Sequence, residues 1–134
     1  MATPKETVQD FMVAFISAWA NRDAAQVASF FSEDAVYHNV PMDPVRGRAA
    51  IEATVGEFMT MGGQVRVDIG HIVAEGHVVM VERVDYFVGS EQTIVLPIAG
   101  VFEVHEGKIT AWRDYFDPAQ LAGQPNAPHD TLTG

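Results

Sequence analysis

The stretch Val78-Val79-Met80-Val81-Glu82-Arg83-Val84-Asp85-Tyr86-Phe87-Val88 is β-rich from end to end. Turn residues close it on both sides, Glu75-Gly76-His77 before it and Gly89-Ser90-Glu91 after it. Period-two geometry puts Val79, Val81, Arg83, Asp85 and Phe87 on one face and Val78, Met80, Val84 and Val88 on the other. Hairpins therefore flank this strand. Gln64 to Ala74 alternates through Val65, Val67 and Ile69 and supplies the strand before it, and Thr93 to His105 returns after it. Pro97 and Gly100 inside the returning strand predict a bulge or an edge, because proline cannot donate to a ladder. Glu106-Gly107 turns the chain again, and Lys108 to Phe116 makes the last long strand. Asp117-Pro118 then reads as the cap and first residue of one helical turn.

Upstream of these strands the period changes. Val8, Phe11, Met12, Phe15, Ile16 and Trp19 recur at three- and four-residue steps, which predicts one apolar stripe on a helix opening at Thr3-Pro4. Asn21-Arg22-Asp23 breaks the stripe, and a shorter helix follows with Ala24, Val27, Ala28 and Phe31 inward. After Ser32-Glu33-Asp34, residues Ala35 to Val40 read as a short strand stopped by Pro41. A third helix spans about Arg48 to Met61, with Ile51, Val55, Phe58 and Met59 on one side. Helices first and hairpin-linked strands afterwards predict an α+β domain, with the helices on one face of a curved antiparallel sheet. Residues 1–122 form that domain, and 123–134, with Pro125, Pro128 and small polar residues, read as a loose tail.

Composition narrows the function classes. The chain has 134 residues, 8 Lys+Arg against 18 Asp+Glu, and a formal net charge of −10. That balance, without a basic run, argues against a nucleic-acid partner. The absence of cysteine excludes disulfides, thiolate nucleophiles and Cys-ligated zinc. The longest apolar run, Phe11 to Ala20, is far short of the ~20 residues a membrane span needs. Met-Ala-Thr-Pro-Lys-Glu lacks the layout of a signal peptide, so the expected location is the cytoplasm. The five histidines are scattered without ligand-pair spacing, and neither a Walker loop nor a Gly-x-Gly-x-x-Gly fingerprint occurs.

Three places break the apolar pattern. Arg83 and Asp85 share a face with two valines and a phenylalanine, roughly 7 Å apart along the strand. Asp114 shares a face with Trp112 and Phe116, and Tyr37 shares one with Asn39. Buried charges are costly unless paired, so Arg83 between Asp85 and Asp114 would supply what each lacks. Burial raises a carboxyl pKa while an arginine favours the ionised form, so such a trio can hold one acid protonated and the other ionised. The Tyr37 hydroxyl and Asn39 amide offer donor and acceptor groups that could hold a water in line. By default each motif alone would be a structural ion pair or a packed aromatic. Their joint appearance is what points to general acid/base chemistry.

Tyr37-His38-Asn39, Arg83-Val84-Asp85 and Trp112-Arg113-Asp114 resemble, in type, order and approximate spacing, the active-site residues of the limonene-1,2-epoxide hydrolases. The helix-rich start, Leu96-Pro97-Ile98-Ala99-Gly100 and the Asp117-Pro118 exit extend the resemblance over most of the chain. The resemblance implies the cone-shaped α+β fold shared with ketosteroid isomerase and scytalone dehydratase, its sheet strongly curved and mixed or antiparallel. It implies one-step hydrolysis of a small lipophilic epoxide, with Asp114 as base on a water also held by Tyr37 and Asn39. Asp85 would be the acid that protonates the epoxide oxygen, Arg83 would bridge the two, and no cofactor or metal would take part. Phe87, Phe116, Leu96 and Ile98 are the expected apolar pocket wall. The family is commonly dimeric through the outer face of the sheet, so Val78, Met80, Val84 and Val88 predict a homodimer. Two other readings stay open: ketosteroid-isomerase-like proton transfer, for which the first helix offers no tyrosine, and a non-catalytic module binding a lipophilic ligand.

Overall fold

The computed structural model describes residues 2–126. Helix α1 (Pro4–Asn21) starts where the sequence predicts, and its cap explains why. Thr3 Oγ1 accepts from Glu6 N at 3.1 Å while Thr3 N donates to Glu6 Oε1 at 2.9 Å, so two end groups are satisfied reciprocally. The helix stops at Arg22, which takes a left-handed conformation with φ 55°, and Asp23 N donates back to Ala18 O. The inward stripe runs through Thr7, Val8, Phe11, Met12, Ala18 and Trp19, with Phe15 half-buried. Ile16, expected inward, is exposed: Ala18 lies on the buried line and Ile16 one position off it. Helix α2 (Ala24–Ala28) is capped by Asp23, whose Oδ1 accepts from Gln26 N. Helix α3 (Arg48–Met59) buries Ile51, Val55 and Met59 and ends two residues sooner than expected, ahead of Gly62 and Gly63 at φ 78° and 73°.

Seven strands follow or interleave: β1 (Phe31–Asn39), β2 (Val45–Arg46), β3 (Gln64–Glu75), β4 (Val78–Val88), β5 (Gln92–His105), β6 (Lys108–Tyr115) and β7 (Gln124–Pro125). They form one mixed sheet in the order β2-β1-β6-β5-β4-β3, with β7 on β5. Among the described residues only the β1–β6 pairing is parallel. β4 has the limits read from its turns. β1 starts at Phe31 rather than Ala35, because the polar Ser32-Glu33-Asp34 is absorbed as a register shift against β6 between Phe31 and Val36. The alternation of β3 slips between Ile69 and His71, which leaves Ile69 exposed.

In β5, Pro97 lies where the strand has outrun β6 and pairs with Val84 of β4 alone, a local edge that tolerates a missing N–H. Gly100 is neither at an edge nor at a bulge. It pairs in register with Val81 on one side and Asp114 on the other. Beyond Gly123 the chain is tied down rather than loose: β7 pairs with Gln92 and Thr93, and Asn126 N donates to Glu91 O at 2.9 Å. The rest of the expected tail, residues 127–134, lies outside the described residues.

The helices lie on the inner face of the curved sheet, over a core centred on Phe11. Its ring meets Phe30, Phe31, Phe102 and Trp112 edge-on, with centroids 5.1–5.8 Å away. Edge-to-face pairs of this kind add about 0.5–1.5 kcal/mol each beyond area burial. Trp112 also stacks on Phe102 and, at 4.3 Å, on Tyr37, so the core runs without a break into the site. Among the described residues no helix is long and apolar enough to cross a membrane.

Candidate active site

Three strands, β1, β4 and β6, bring the polar breaks together. The β1–β6 register sets Asn39 beside Asp114 and Tyr37 beside Trp112, while β4 carries Arg83 and Asp85 inward two residues apart. Arg83, Asp85 and Asp114 are 3%, 5% and 3% exposed, which makes their pairing decisive for whether they can be charged at all. Arg83 Nε donates to Asp85 Oδ1 at 2.9 Å and Nη2 to Asp85 Oδ2 at 3.3 Å. From its other edge, Nη1 donates to Asp114 Oδ1 at 3.1 Å and Nη2 to Asp114 Oδ2 at 2.7 Å. One planar guanidinium thus clamps two carboxylates with its fixed fork of donors.

Trp112 completes the clamp, its Nε1 donating to Asp114 Oδ1 at 2.7 Å. Sequence reasoning placed Trp112 on the Asp114 face and gave it no part. The signal was the two-residue spacing on one strand face, which sets an indole N–H beside the carboxylate. Asn39 Nδ2 donates to Tyr37 Oη at 3.0 Å, and Tyr37 Oη is placed to donate to Asn39 Oδ1 at a longer 3.3 Å, so the two side chains form one local polar pair.

The electrostatics differentiate these groups. Burial pushes the Asp85 carboxyl above the usual carboxylate range; the Arg83 charge and hydrogen bonds oppose this only in part. Burial alone would lower the Arg83 pKa, but the Asp114 and Asp85 charges outweigh it and hold the guanidinium cationic. Burial, and then the Asp114 charge, push the Tyr37 hydroxyl well above its ordinary value, so it is a neutral donor at physiological pH. A trio that holds one carboxyl proton carries no net charge, because the Arg83 cation balances one carboxylate. That is the cheapest charged arrangement this burial allows.

The trio lies in the wall of a cavity of about 260 Å³ between the helices and the inner face of the sheet. Tyr37, Asn39, Arg83, Asp85 and Asp114 all line it, as do Phe87, Phe116, Leu96 and Ile98. The remaining wall is apolar. Met12, Phe15 and Trp19 come from α1, Phe58 from α3, and Val67, Ile94 and Leu121 from the strands and the turn after β6. Met42 and Met61, 46% and 62% exposed, also line the cavity. These residues were readable as apolar, but the sequence does not distinguish helix residues facing solid core from those facing a void. Among the described residues no three His, Asp or Glu side chains are grouped to hold a metal ion.

Such a site offers an acid, a base and a fixed cation in an otherwise oily pocket, on a fold that also hosts unrelated chemistry. Comparison with known proteins narrows the choice. Epoxide hydrolase EphG of Mycobacterium tuberculosis is 38% identical over 106 residues, covering 78% of this chain and 69% of that protein. A steroid Δ-isomerase of Nocardioides simplex is 30% identical over 120 residues, covering 88% of this chain and 96% of that one. A solved M. tuberculosis limonene-epoxide-hydrolase-like structure superposes with a TM-score of 0.69 at 32% identity, over 84% of each chain. The model of the limonene-1,2-epoxide hydrolase catalytic domain matches residues 3–125, which takes in every strand and helix that builds the cavity. By that match, and by its epoxide hydrolase relatives, the chain belongs to the limonene-1,2-epoxide hydrolase family.

Proposed function

We propose that the protein hydrolyses a small, lipophilic, cyclic or terpene-like epoxide to a vicinal diol in one step. The observation that carries this reading is the double clamp: one buried arginine holding two carboxylates in the wall of an apolar cavity. Asp114 takes a proton from a water that Tyr37 and Asn39 help to orient. The water oxygen bonds to a ring carbon as that carbon's bond to the epoxide oxygen breaks. Asp85 gives its proton to the departing oxygen, so no alkoxide has to form in the oily pocket. One proton has then moved from water to Asp114 and one from Asp85 to product. The trio is neutral before and after, and a proton passing back from Asp114 to Asp85 resets it. Ring strain drives the C–O cleavage, so acid, base and orientation suffice for this step without a cofactor.

The steroid isomerase relative favours a second reading, proton transfer across an unsaturated ketone. That chemistry needs one base and an oxyanion donor. It gives no use to a second carboxylate on the same arginine, and α1 carries no tyrosine to serve as donor. A non-catalytic lipophilic-binding module would likewise leave three buried ionisable groups without a purpose.

A panel of cyclic and terpene epoxides at neutral pH, with diol followed by chiral chromatography, tests the reading. Wild type should form diol, and a single turnover in labelled water should place the label in it. Asp85→Asn and Asp114→Asn should each lose about a hundred- to ten-thousand-fold in kcat while keeping the fold. Substantial turnover in either variant, or label-free diol from unlabelled enzyme, would refute the assigned roles.

A further inference from the structure

Arg83 and Asp114 sit on strands that are not neighbours. β5 runs between β4 and β6, which separates the two backbones by two strand spacings, roughly 10 Å. The guanidinium reaches Asp114 only by lying across β5. The residue under that crossing is Gly100, paired with Val81 toward β4 and with Asp114 toward β6. A Cβ at Gly100 would stand 2.5 Å from Arg83 Nη1 and 2.9 Å from Asp114 Oδ1, well inside the roughly 3.5 Å of comfortable packing.

Moving either neighbour aside would disturb the clamp. The Arg83 side chain is 2% exposed and held by four hydrogen bonds, and Asp114 is held by Arg83 and Trp112 together. Gly100 sits in a regular ladder, so the reason for glycine here is the close approach of another strand's side chain.

We propose that Gly100 is a positioning residue for the reaction. Its missing side chain lets Arg83 lie flat across β5 and hold Asp85 and Asp114 at a fixed separation. The inference rests on the hydrolytic reading above for its kinetic consequence, and on geometry alone for its structural one. Gly100 acts through Arg83 and Asp114, so a methyl group there should disturb the chemical step more than substrate affinity.

The test is Gly100→Ala, read by kinetics and by the indole N–H signals of the ¹⁵N-labelled protein. The chain has two tryptophans. Trp112 Nε1–H is bonded to Asp114, whereas Trp19 Nε1 has no partner among the described residues and its ring sits against Phe15 and Phe87. We expect kcat to fall about 100-fold with KM little changed. The Trp112 signal should move and the Trp19 signal stay in place.

Unchanged kcat, or a loss of kcat with both indole signals displaced, overturns the proposal. If Gly100→Ala does not fold, urea unfolding of Arg83→Met/Asp114→Ala, with and without Gly100→Ala, decides, because that background removes both atoms the new Cβ would meet. Matching midpoints support the crossing, and a further loss in the triple variant refutes it. A wild-type protein that turns over no epoxide is instead a failure of the hydrolytic reading, and the indole comparison still tests the crossing.

Discussion

Asp85 and Asp114 are the same residue type on the same arginine, yet their surroundings divide them. Asp114 accepts a third donor, the Trp112 indole, whereas the hydrogen bonds Asp85 makes run to Arg83 alone among the described residues. Burial then governs Asp85 and raises its carboxyl above the usual range. The folded protein therefore binds this proton more tightly than the unfolded chain, whose aspartates ionise near ~3.9. Stability linked to Asp85 is full below that pH and is lost as pH rises toward the raised value. Urea unfolding across a pH series should show this decline in wild type, and Asp85→Asn should flatten it. Rate should follow the same group, with kcat/KM falling on the alkaline side as the general acid loses its proton. A pH–stability curve of the same slope in Asp85→Asn would show that the burial of Asp85 is not what sets it.

At the scale of elements, the site depends on where strands and helices begin. α1 supplies one wall of the cavity, and its first turn is fixed by the reciprocal Thr3–Glu6 bonds. Thr3→Ala should cost about 1 kcal/mol in urea unfolding, because the Glu6 N–H loses its acceptor. An unchanged midpoint would show that packing of Phe11 and Trp19 alone fixes the helix. This cap was legible in Thr3-Pro4, and β4 was legible in full, because turns on both sides and a strict period of two leave one register. Arg83, Asp85 and Asp114 could be singled out because they break an apolar alternation, which local sequence reveals. The start of β1 could not be read, since Ser32-Glu33-Asp34 has turn chemistry and only its parallel partner β6 draws it into the sheet. Gly100 was misread as a bulge or edge for the same kind of reason. What explains it is an arginine from the neighbouring strand, seventeen positions away in sequence, and period-two reasoning along one strand does not see across the ladder.

The whole molecule has two unlike sheet faces. Inward, β4 presents the arginine clamp and the cavity; outward it presents Met80 and Val88, which are 52% and 38% exposed. Val73 on β3, Val95 on β5 and Tyr115 on β6 add to that outer surface at 59%, 40% and 46%. Ion pairs cross the same face, Arg113 with Glu103 at 2.6 Å and His71 with Glu82 at 2.8 Å, so it is a mixed surface rather than a solid core. A monomer with a net charge of −10 would stay dissolved on charge alone, yet large apolar side chains spread over three or more strands are expensive to leave in water. Pairing of two such faces across a two-fold axis would cover both, each outer patch serving as the other's partner. Light scattering at micromolar concentration should therefore read twice 14.6 kDa. Val73→Lys/Met80→Lys should return the monomer by placing like charges opposite each other in the interface. Because one chain's own residues wall the cavity, the monomeric variant should keep most of its epoxide turnover while losing thermal stability. A species of 14.6 kDa from the wild type would refute the dimer, and a monomeric variant without activity would mean that the outer face supports the clamp through β4.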